Sequence, residues 1–227
     1  KIVTYFPVDA RFHNSQWYKG IDQGWVDEAV VYTEFGKEVA SLACPSFEFK
    51  IIPHGVDTKT FHKLPGSKTM IKKALFPNEP TFYDDSFVVL NANRNQPRKK
   101  WWLTLEAFKL FSEGKPENVK LHIHAGMQDS DMNLQDYAHR LGILDRITAS
   151  SKKVGPQQVP DAKLNHIYNA CDVGLNTSVG EGWGLPNFEH GATGAPQVIP
   201  DHSANHEIWK DCGLLVPPVM DYTLTEM

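Results

Sequence analysis

Cysteine, excess positive charge and long apolar runs are scarce in this sequence. The 227 residues contain three cysteines, Cys44, Cys171 and Cys212, which are widely spaced and odd in number. They favour buried thiols in a reducing compartment over a disulfide framework, so we expect a cytoplasmic protein and leave peripheral association with a membrane open. The net charge of -4 gives no general attraction to nucleic acid or anionic lipid. No apolar run approaches the roughly 20 residues that cross a bilayer, and nothing resembles a signal peptide.

The sequence instead alternates short apolar segments with amphipathic ones. Its 41% hydrophobic and 22% charged residues are ordinary for a globular protein, with length for one large domain or two small ones. Apolar β-branched segments predict strands in 1–6, 28–33, 119–126, 146–150, 172–178, 196–200 and 212–218, and the segment 86–95 predicts a buried strand that runs into a polar loop. Helical spacing predicts helices in 34–43, 101–114, 133–143, 161–171 and 186–194. This repeat predicts an α/β fold with a Rossmann-like parallel sheet covered by helices.

The ends of some elements carry their own signals. Gly114 is predicted to stop the helix that begins near Trp101, and Asp161 is predicted to cap a later helix. The stretch 65–85 has little periodicity, and no element is predicted there.

The segment EGWGLPNFE, residues 181–189, combines a flexible turn with two carboxylates. Pro186 suits the first turn of a helix, and Gly182 and Gly184 let the backbone approach a ligand closely. Free backbone N–H groups ahead of Pro186 then face an anion. Glu181 and Glu189 repel a phosphate but accept hydrogen bonds from hydroxyls beside it. The pattern indicates a nucleotide sugar, which has a diphosphate between two polyols.

A second loop, residues 91–102, follows a predicted strand of the same parallel sheet, where ligands bind. Its Arg94 and Lys99 are suited to neutralising a diphosphate without a metal. Each segment also has an interpretation without a ligand. Residues 91–102 would then be a solvated basic turn, and residues 181–189 a helix N-terminus whose glutamates have no binding role. Trp101 and Trp102, beside the basic residues, also suggest stacking on single-stranded nucleic acid. The negative net charge and the amphipathic helix that these tryptophans begin argue against it.

Two histidine pairs have spacings that metal ligands sometimes show. His122 and His124 are two apart on a predicted strand and share a face, and His202 and His206 are four apart. Neither pair has a third ligand at a telling distance, so we predict no metal site and no cofactor.

Taken together, these segments resemble one family. EGWGLPNFE resembles the Glu–seven residues–Glu signature of the retaining glycosyltransferases with the GT-B fold, in their sucrose-synthase-like and mannosyltransferase-like group. NRNQPRKK, residues 93–100, resembles the family's Arg and Lys five apart, IIPHGVDTKTFHK its interdomain segment, and CGLLVPP the strand that closes the donor site. The resemblance runs from about Ala29 to Val219.

The resemblance implies two facing Rossmann-like domains. Residues 1–52 would be the end of the N-terminal acceptor domain, 53–64 the crossover, and 65–227 the C-terminal nucleotide-sugar-binding domain. The family's N-terminal glycine-rich loop and its closing C-terminal helix have no counterpart, so we expect a truncated chain. Whether such a chain is active by itself is not indicated. The implied reaction is metal-independent transfer of a sugar from a nucleotide sugar, with retention of anomeric configuration. The acceptor, whether glycan, lipid or small molecule, and the oligomeric state are not indicated.

Roles follow from the matching positions. Arg94 and Lys99 match the diphosphate-binding pair that stabilises the leaving nucleotide. Glu189 matches the glutamate that accepts from ribose hydroxyls, and Glu181 the one that orients the donor sugar. The turn whose amides meet phosphate or sugar matches Gly182, Trp183, Gly184 and Leu185. Val154 lies where the family's backbone meets the base.

Some positions depart from the family pattern. Asn93 and Lys100 replace glycines on either side of the Arg–Lys segment, and His190 replaces a small residue after Glu189. His190 is expected to face solvent or to be satisfied in the core; the alternative is that it faces the ligand and touches the nucleotide. Two other functions stay open at this point. One is a nucleotide-sugar epimerase or a phosphorylase on the same fold, although an epimerase lacks this turn and no lysine motif for pyridoxal phosphate is present. The other is a non-catalytic module that binds nucleotide sugars.

Overall fold

A computed structural model describes residues 1–75, 85–129, 132–150 and 159–219. Within these ranges the chain divides into two compact units. The first unit contains Lys1–Gly55, Ser178–Gly184 and the chain from Ile199 onward, and the second contains Val56–Thr177 and Leu185–Val198. The predicted domain boundaries, 1–52, 53–64 and 65–227, stay a prediction.

The first unit begins with a small parallel sheet. Its strands β1 (Val3–Phe6), β2 (Glu28–Val31) and β3 (Lys50–Ile51) lie in that order, with Val3 opposite Glu28 and Val30 opposite Lys50. The helices α1 (Lys19–Asp22) and α2 (Glu34–Ala43) follow β1 and β2. Val31, Val39 and Phe49 belong to the core of this unit. The prediction of strands in 1–6 and 28–33 and of a helix over 34–43 is confirmed.

Helix α2 begins where two independent groups satisfy its backbone N–H groups. Thr33 caps it by accepting from the N–H of Gly36 at 3.0 Å. The carboxylate of Glu207 accepts from the N–H groups of Glu34 at 3.2 Å and Phe35 at 3.3 Å. Glu207 lies on helix α8 (Ala204–Trp209), so one helix of this unit supplies the anion that the N-terminus of another favours.

The second unit is built on a larger parallel sheet. Its strands are β4 (Phe87–Asn91), β5 (Val119–Ile123), β6 (Ile147–Ala149), β7 (Val173–Leu175) and β8 (Gln197–Pro200), which continues into the first unit. Their order is β6-β5-β4-β7-β8, with β9 (Leu214–Val216) next to β8. The four pairings among β4, β5, β6, β7 and β8 are parallel, for example Val89 opposite Leu121 and Val173 opposite Val89. The chain adds β5 and β6 on one side of β4 and then β7 and β8 on the other. Open α/β sheets bind ligands at such a switch point between neighbouring strands.

The helices of the second unit connect these strands. They are α3 (Lys68–Leu75), α4 (Trp101–Ser112), α5 (Leu134–Arg140), α6 (Asp161–Ala170) and α7 (Leu185–Ala192). Trp101, Leu105 and Phe108 are one face of α4 and pack with Leu121 of β5 in the largest core cluster. Gly114 follows α4 with a φ of 70°, which confirms the predicted stop, because left-handed backbone favours glycine.

Two expectations about helices are wrong. Helix α3 lies inside the stretch where no element was predicted, because its 8 residues give only about two turns of pattern and so short a helix depends on tertiary contacts for its stability. Asp161 is the first helical residue of α6 rather than its cap, because Pro160 occupies the cap position. None of the helices in the described ranges is long and apolar enough to cross a membrane.

Candidate functional site

The second unit contains a cavity of about 140 Å³ at the carboxyl ends of its strands. Residues from four elements line it, among them Ala92, Arg94, His124, Tyr168, Pro186 and Glu189. Two of these are sequence-predicted site residues: Arg94, from the loop after β4, and Glu189, from helix α7. The fold therefore brings a predicted cation and a predicted carboxylate to one cavity, although they are 95 positions apart in the sequence.

A buried chain of hydrogen bonds holds the loop that carries Arg94. The side chain of Asn91 accepts from the backbone N–H of Asn93 at 3.1 Å and donates to the Thr104 hydroxyl at 2.8 Å. The Thr104 and Thr177 hydroxyls lie 2.7 Å apart, and Thr177 donates to the carbonyl of Lys99 at 2.9 Å. The ends of β4 and β7 and the first turns of α4 thus fix both ends of this loop. Asn93, in place of the family's glycine, takes part in this network.

Arg94 combines a fixed backbone with an exposed side chain. Its carbonyl accepts from the indole N–H of Trp101 at 3.0 Å, and that indole is fully buried. Its guanidinium lies 3.5 Å from the carboxylate of Asp129, with 55% of the side chain exposed. A surface pair of this length contributes little to stability, so the guanidinium remains available to an anion in the cavity. Because Trp101 is buried, it is not available to stack on nucleic acid.

Lys99 and Lys100 form the end of the same loop. Lys99 closes a 3-10 turn over Pro97–Lys99, and the residue is 6% exposed. Lys100 has a φ of 48° and a ψ of 54°, the left-handed region that explains why glycine is common there. The predicted role of Lys99 at a diphosphate stays a prediction.

Glu189 lies on the cavity side of α7 in contact with a buried tyrosine. Its carboxylate accepts from the Tyr168 hydroxyl at 2.8 Å. Burial, and then the charge of Glu189, raise the pKa of Tyr168 well above its usual value, so the phenol remains a donor. Tyr168 on α6 therefore orients the carboxylate of Glu189, and Glu189 on α7 lines the cavity. This geometry suits an acceptor of ligand hydroxyls.

His190, next to Glu189, is part of the core. Its ring stacks on Tyr168 with centroids 5.5 Å apart and is 1% exposed. The side-chain amide of Gln197 lies 3.1 Å from its Nδ1. Burial lowers the pKa of His190 to about 4, so the ring is neutral near pH 7. The structure therefore places His190 in the core and not at the solvent-exposed surface.

Four predicted site residues belong to the first unit. Glu181 is 4% exposed, and its backbone N–H donates to the Ser203 hydroxyl at 3.1 Å. A Cβ on Gly182 would lie 2.5 Å from the Cβ of Pro7, so its small size is needed for packing as well as for any ligand. Trp183 is 9% exposed with its ring 6.1 Å from that of His54. Gly184 has a φ of 78°, in the left-handed region that favours glycine.

Two further predicted residues complete the set. Leu185 is the first residue of α7 and is 39% exposed, and Pro186 in the next position confirms the predicted helix start. Val154 lies outside the described residues. The roles given to these residues stay predictions.

The histidine pairs have structural partners. In the described ranges no group of three or more histidine, cysteine, aspartate or glutamate side chains is arranged to hold a metal ion. His202 lies 2.9 Å from the carbonyl of Ser178, and His206 lies 2.6 Å from the carboxylate of Asp201. His122 and His124 share the hydroxyl of Ser150, at 2.9 Å and 2.7 Å.

The sequence also matches a known family. Residues 72–224, more than half of the chain, match the family model described as Glycosyl transferases group 1. The chain belongs to the group 1 glycosyltransferases. The loop of Arg94 and the segment 181–189 both lie within the region that defines this membership.

Two curated relatives of this group 1 chain are named for sugar transfer or sugar synthesis. Mannosylfructose-phosphate synthase of Agrobacterium fabrum is 28% identical over 160 residues, which cover 67% of this chain and 32% of the relative. D-inositol 3-phosphate glycosyltransferase of Stackebrandtia nassauensis is 30% identical over 155 residues, which cover 65% of this chain and 32% of the relative. The chain thus aligns with about a third of the length of these relatives.

Solved structures show the same fold. Anabaena HepE in complex with UDP-glucose superposes with a TM-score of 0.70 at 17% identity, covering 91% of this chain and 54% of HepE. Sucrose-phosphate synthase of Thermosynechococcus elongatus superposes with a TM-score of 0.68 at 21% identity, covering 91% and 49%. The α/β architecture of this group 1 chain is that of GT-B glycosyltransferases, as the sequence predicted.

Sequence reasoning missed two cavity residues, Tyr168 and His124. Tyr168 lies on the inner face of α6, where an aromatic side chain at helical spacing indicates only a core residue. His124 was weighed only as a metal ligand. Its position directly after β5, at the carboxyl end of a strand, was a usable signal for a ligand contact.

Proposed function

We propose that this protein transfers a sugar from a nucleotide-sugar donor to an acceptor, with retention of anomeric configuration and without a metal ion. The observation that carries the proposal is the cavity that Arg94 and Glu189 line together in a group 1 family member. A cation for phosphate and a carboxylate for hydroxyls are the two groups that a nucleotide sugar needs. HepE, with the same fold, binds UDP-glucose in its solved complex, which favours UDP-sugars as the first donors to test.

Each site residue then has a role. Arg94 and Lys99 hold the diphosphate and stabilise the negative charge that develops on it as it leaves. Glu189 accepts from the ribose hydroxyls, and hydrogen bonds to a charged group contribute about 1.5–3 kcal/mol. Glu181 orients hydroxyls of the donor sugar. The backbone of Gly182–Leu185 meets phosphate or sugar, and the backbone near Val154 meets the base.

In the proposed reaction the bond between the anomeric carbon and the diphosphate oxygen breaks. The acceptor hydroxyl attacks from the leaving-group face, a new C–O bond forms there, and a phosphate oxygen takes the hydroxyl proton. Charge on the leaving diphosphate is the main cost of this step. The cations of the 94–99 loop lower that cost as a metal ion does in other transferases.

Donor binding tests the proposal directly. The melting temperature of the protein should rise with UDP-, GDP- or ADP-sugars in the presence of EDTA, because a ligand that binds only the folded state stabilises it. The best donor should then lose affinity on Arg94→Gln or Glu189→Gln. We expect roughly a tenfold loss or more for each, from one lost charged hydrogen bond.

The chain provides matched controls for both variants. Glu106→Gln removes an exposed carboxylate that also accepts from a tyrosine, Tyr137, at 2.7 Å. Arg140→Gln removes an exposed arginine from α5, outside the cavity. Both should bind donor as the wild type does. Silence from every nucleotide sugar, or equal losses in variants and controls, would contradict the proposal.

Transfer itself is measured by release of the nucleotide in the presence of candidate acceptors, with the anomeric configuration of the product read by NMR. Binding with neither transfer nor donor hydrolysis would favour the non-catalytic module. An inverted product would leave the donor site intact and exclude retention.

A further inference from the structure

His124 lies at the end of a continuous chain of hydrogen bonds at the edge of the sheet. The Thr148 hydroxyl lies 3.5 Å from the carbonyl of Leu121 and 2.8 Å from Nδ1 of His122; we assign its proton to the carbonyl, which leaves its oxygen to accept from Nδ1. Nε2 of His122 then accepts from the Ser150 hydroxyl at 2.9 Å. The Ser150 oxygen is left to accept from Nδ1 of His124, 2.7 Å away. Once the Thr148 proton is assigned to the carbonyl, each later step follows because a hydroxyl has one proton and a neutral imidazole has one N–H.

Both imidazoles are neutral near pH 7, as this chain requires. Burial, and then the neighbouring His124, lower the pKa of His122 to about 3. Burial lowers the pKa of His124 to about 4. A neutral His124 whose Nδ1 carries the proton has an unprotonated Nε2, which is a hydrogen-bond acceptor.

The acceptor nitrogen, Nε2 of His124, belongs to a residue that lines the cavity. His124 lines it together with Arg94, Tyr168 and Glu189. Its ring is 8% exposed and therefore held in place, and its backbone N–H donates to the carbonyl of Asn91 at 3.0 Å. Since Ser150 engages Nδ1, Nε2 is the ring nitrogen left for a ligand.

We propose that Nε2 of His124 accepts a hydrogen bond from the nucleoside part of the bound donor, and that Ser150, His122 and Thr148 fix the tautomer that makes it an acceptor. The inference rests on the proposed function, because it assigns a further binding residue to the same cavity. The bonded group is an O–H of the ribose or an N–H of the base. Ser150 is a positioning residue, since it acts through His124.

The tautomer can be read without any ligand. Nitrogen-15 NMR of histidine-labelled protein should show His124 with a protonated Nδ1 and an unprotonated Nε2, and its signals are assigned by their loss in His124→Phe. In Ser150→Ala the fixed tautomer should give way to a mixture. A protonated Nε2 in the wild type would overturn the inference, whether or not the protein binds nucleotides.

The contact to the ligand is measured by calorimetry with UDP, GDP and ADP. His124→Phe keeps the ring volume and removes both nitrogens, and it should weaken the tightest of the three by roughly tenfold. His124→Gln, whose amide oxygen lies near the position of Nε2, should recover part of this loss. Ser150→Ala should lose less than His124→Phe, with circular dichroism and melting temperature checking that each variant folds.

Three modified nucleotides identify the donor group. If the ribose supplies it, the 2′-deoxy or 3′-deoxy form should bind wild type and His124→Phe equally. If the base supplies it, the form methylated on the base N–H should do so. Wild-type binding that His124→Phe leaves unchanged overturns this inference and leaves the proposed function standing. A wild type that binds no nucleotide overturns the proposed function and the ligand contact together.

Discussion

Lys100 has a backbone conformation that glycine adopts more readily. Its φ of 48° and ψ of 54° place it in the left-handed region, directly between a 3-10 turn and helix α4. This conformation costs roughly 1–2 kcal/mol for a residue with a Cβ. The cost is tolerated because Lys99 and Thr177 hold the turn through the carbonyl of Lys99. A loop held against such strain is characteristic of functional sites.

The first prediction is that Lys100→Gly stabilises the protein. Glycine removes the strain but loses more entropy on folding, so we expect a net gain of about 0.5–1 kcal/mol in the free energy of unfolding. Urea denaturation measures it. Lys109→Gly, at a regular position of α4, should instead cost about 1 kcal/mol. A loss of stability in Lys100→Gly comparable to that of Lys109→Gly would contradict the assigned strain.

Charge and spacing predict part of the cavity lining, although Lys99, predicted on the same grounds as Arg94, is not among the residues that line it. Arg94 and Glu189 were both expected at a ligand on local sequence alone, and both line the cavity. Tyr168 and His124 were not, because an aromatic on a helix and a histidine on a strand are usually core residues. Their partners, Glu189 and Ser150, are 21 and 26 positions away in the sequence. Contacts at that distance depend on the fold.

Helix α3 shows how a helix without a clear local pattern is held. Lys68 and Lys72 from this helix both reach Asp172, at 2.9 Å and 3.2 Å, and the Asp172 carboxylate also accepts from the N–H of Val88. Burial raises the pKa of Asp172, but the hydrogen bonds from Lys68 and Val88 and the nearby charges outweigh it and hold the pKa below its usual value. Because Lys68 and Lys72 are four residues apart, they lie on one face of the helix. The acidic residue that they both contact, Asp172, is distant in the sequence and could not be predicted from the local pattern.

The second prediction concerns this carboxylate. Asp172→Asn should destabilise the protein by about 2–4 kcal/mol, because the Lys72 side chain is 4% exposed and loses its counter-charge. Lys68→Met should cost less than about 1 kcal/mol, since Lys68 is 48% exposed. Chemical denaturation of the two variants measures both losses. Equal losses would show that the exposed and the buried pair contribute alike, against this account.

The third prediction is a loss of stability on mild acidification. The pKa values of His122, His124 and His190 are lowered by burial to about 3, 4 and 4, against 6.5 in the unfolded chain. Between pH 6.5 and about 4 the unfolded chain therefore binds protons that the folded protein does not, and stability falls as the pH falls. At pH 5 each histidine should cost on the order of 1–2 kcal/mol relative to pH 7.5.

Urea denaturation at pH 7.5, 6.5, 5.5 and 5 tests this slope above the range where carboxylates titrate. His124→Gln should make the slope shallower, because one of the three groups is removed. His139→Gln, an exposed histidine of α5, should leave it unchanged. A stability that is flat from pH 7.5 to 5 in the wild type would contradict the neutral buried histidines.

At the scale of the whole molecule, the alternation of elements predicted the parallel sheets, because parallel strands need helical crossovers and their handedness is fixed. The capping of α2 by Glu207 could not be predicted, since Glu207 is 173 positions from Glu34, the first residue of that helix. Nothing in a local pattern indicates which distant helix supplies that carboxylate. The same limit applies to how the chain from Ile199 onward joins the first unit.

Charge at the same scale leads to the fourth prediction. The chain has a net charge of -4, so a nucleotide anion is repelled by the protein as a whole and attracted by the few cations near its site. The Debye length falls from about 10 Å at 0.1 M salt to about 3 Å at 1 M. Close contacts in a cavity are screened less than distant ones, so the affinity for the best nucleotide should fall only modestly, by roughly tenfold or less, over this range.

Calorimetric titrations at about 0.1, 0.3 and 1 M sodium chloride measure this dependence, because the Debye length changes about threefold over that range. Arg94→Gln should bind more weakly at low salt and show a shallower dependence, because it lacks one of the attracting charges. Arg140→Gln should keep the wild-type dependence. An affinity that rises with salt in the wild type would mean that repulsion by the whole chain outweighs the cations of the 94–99 loop, and the diphosphate role of Arg94 would then fail.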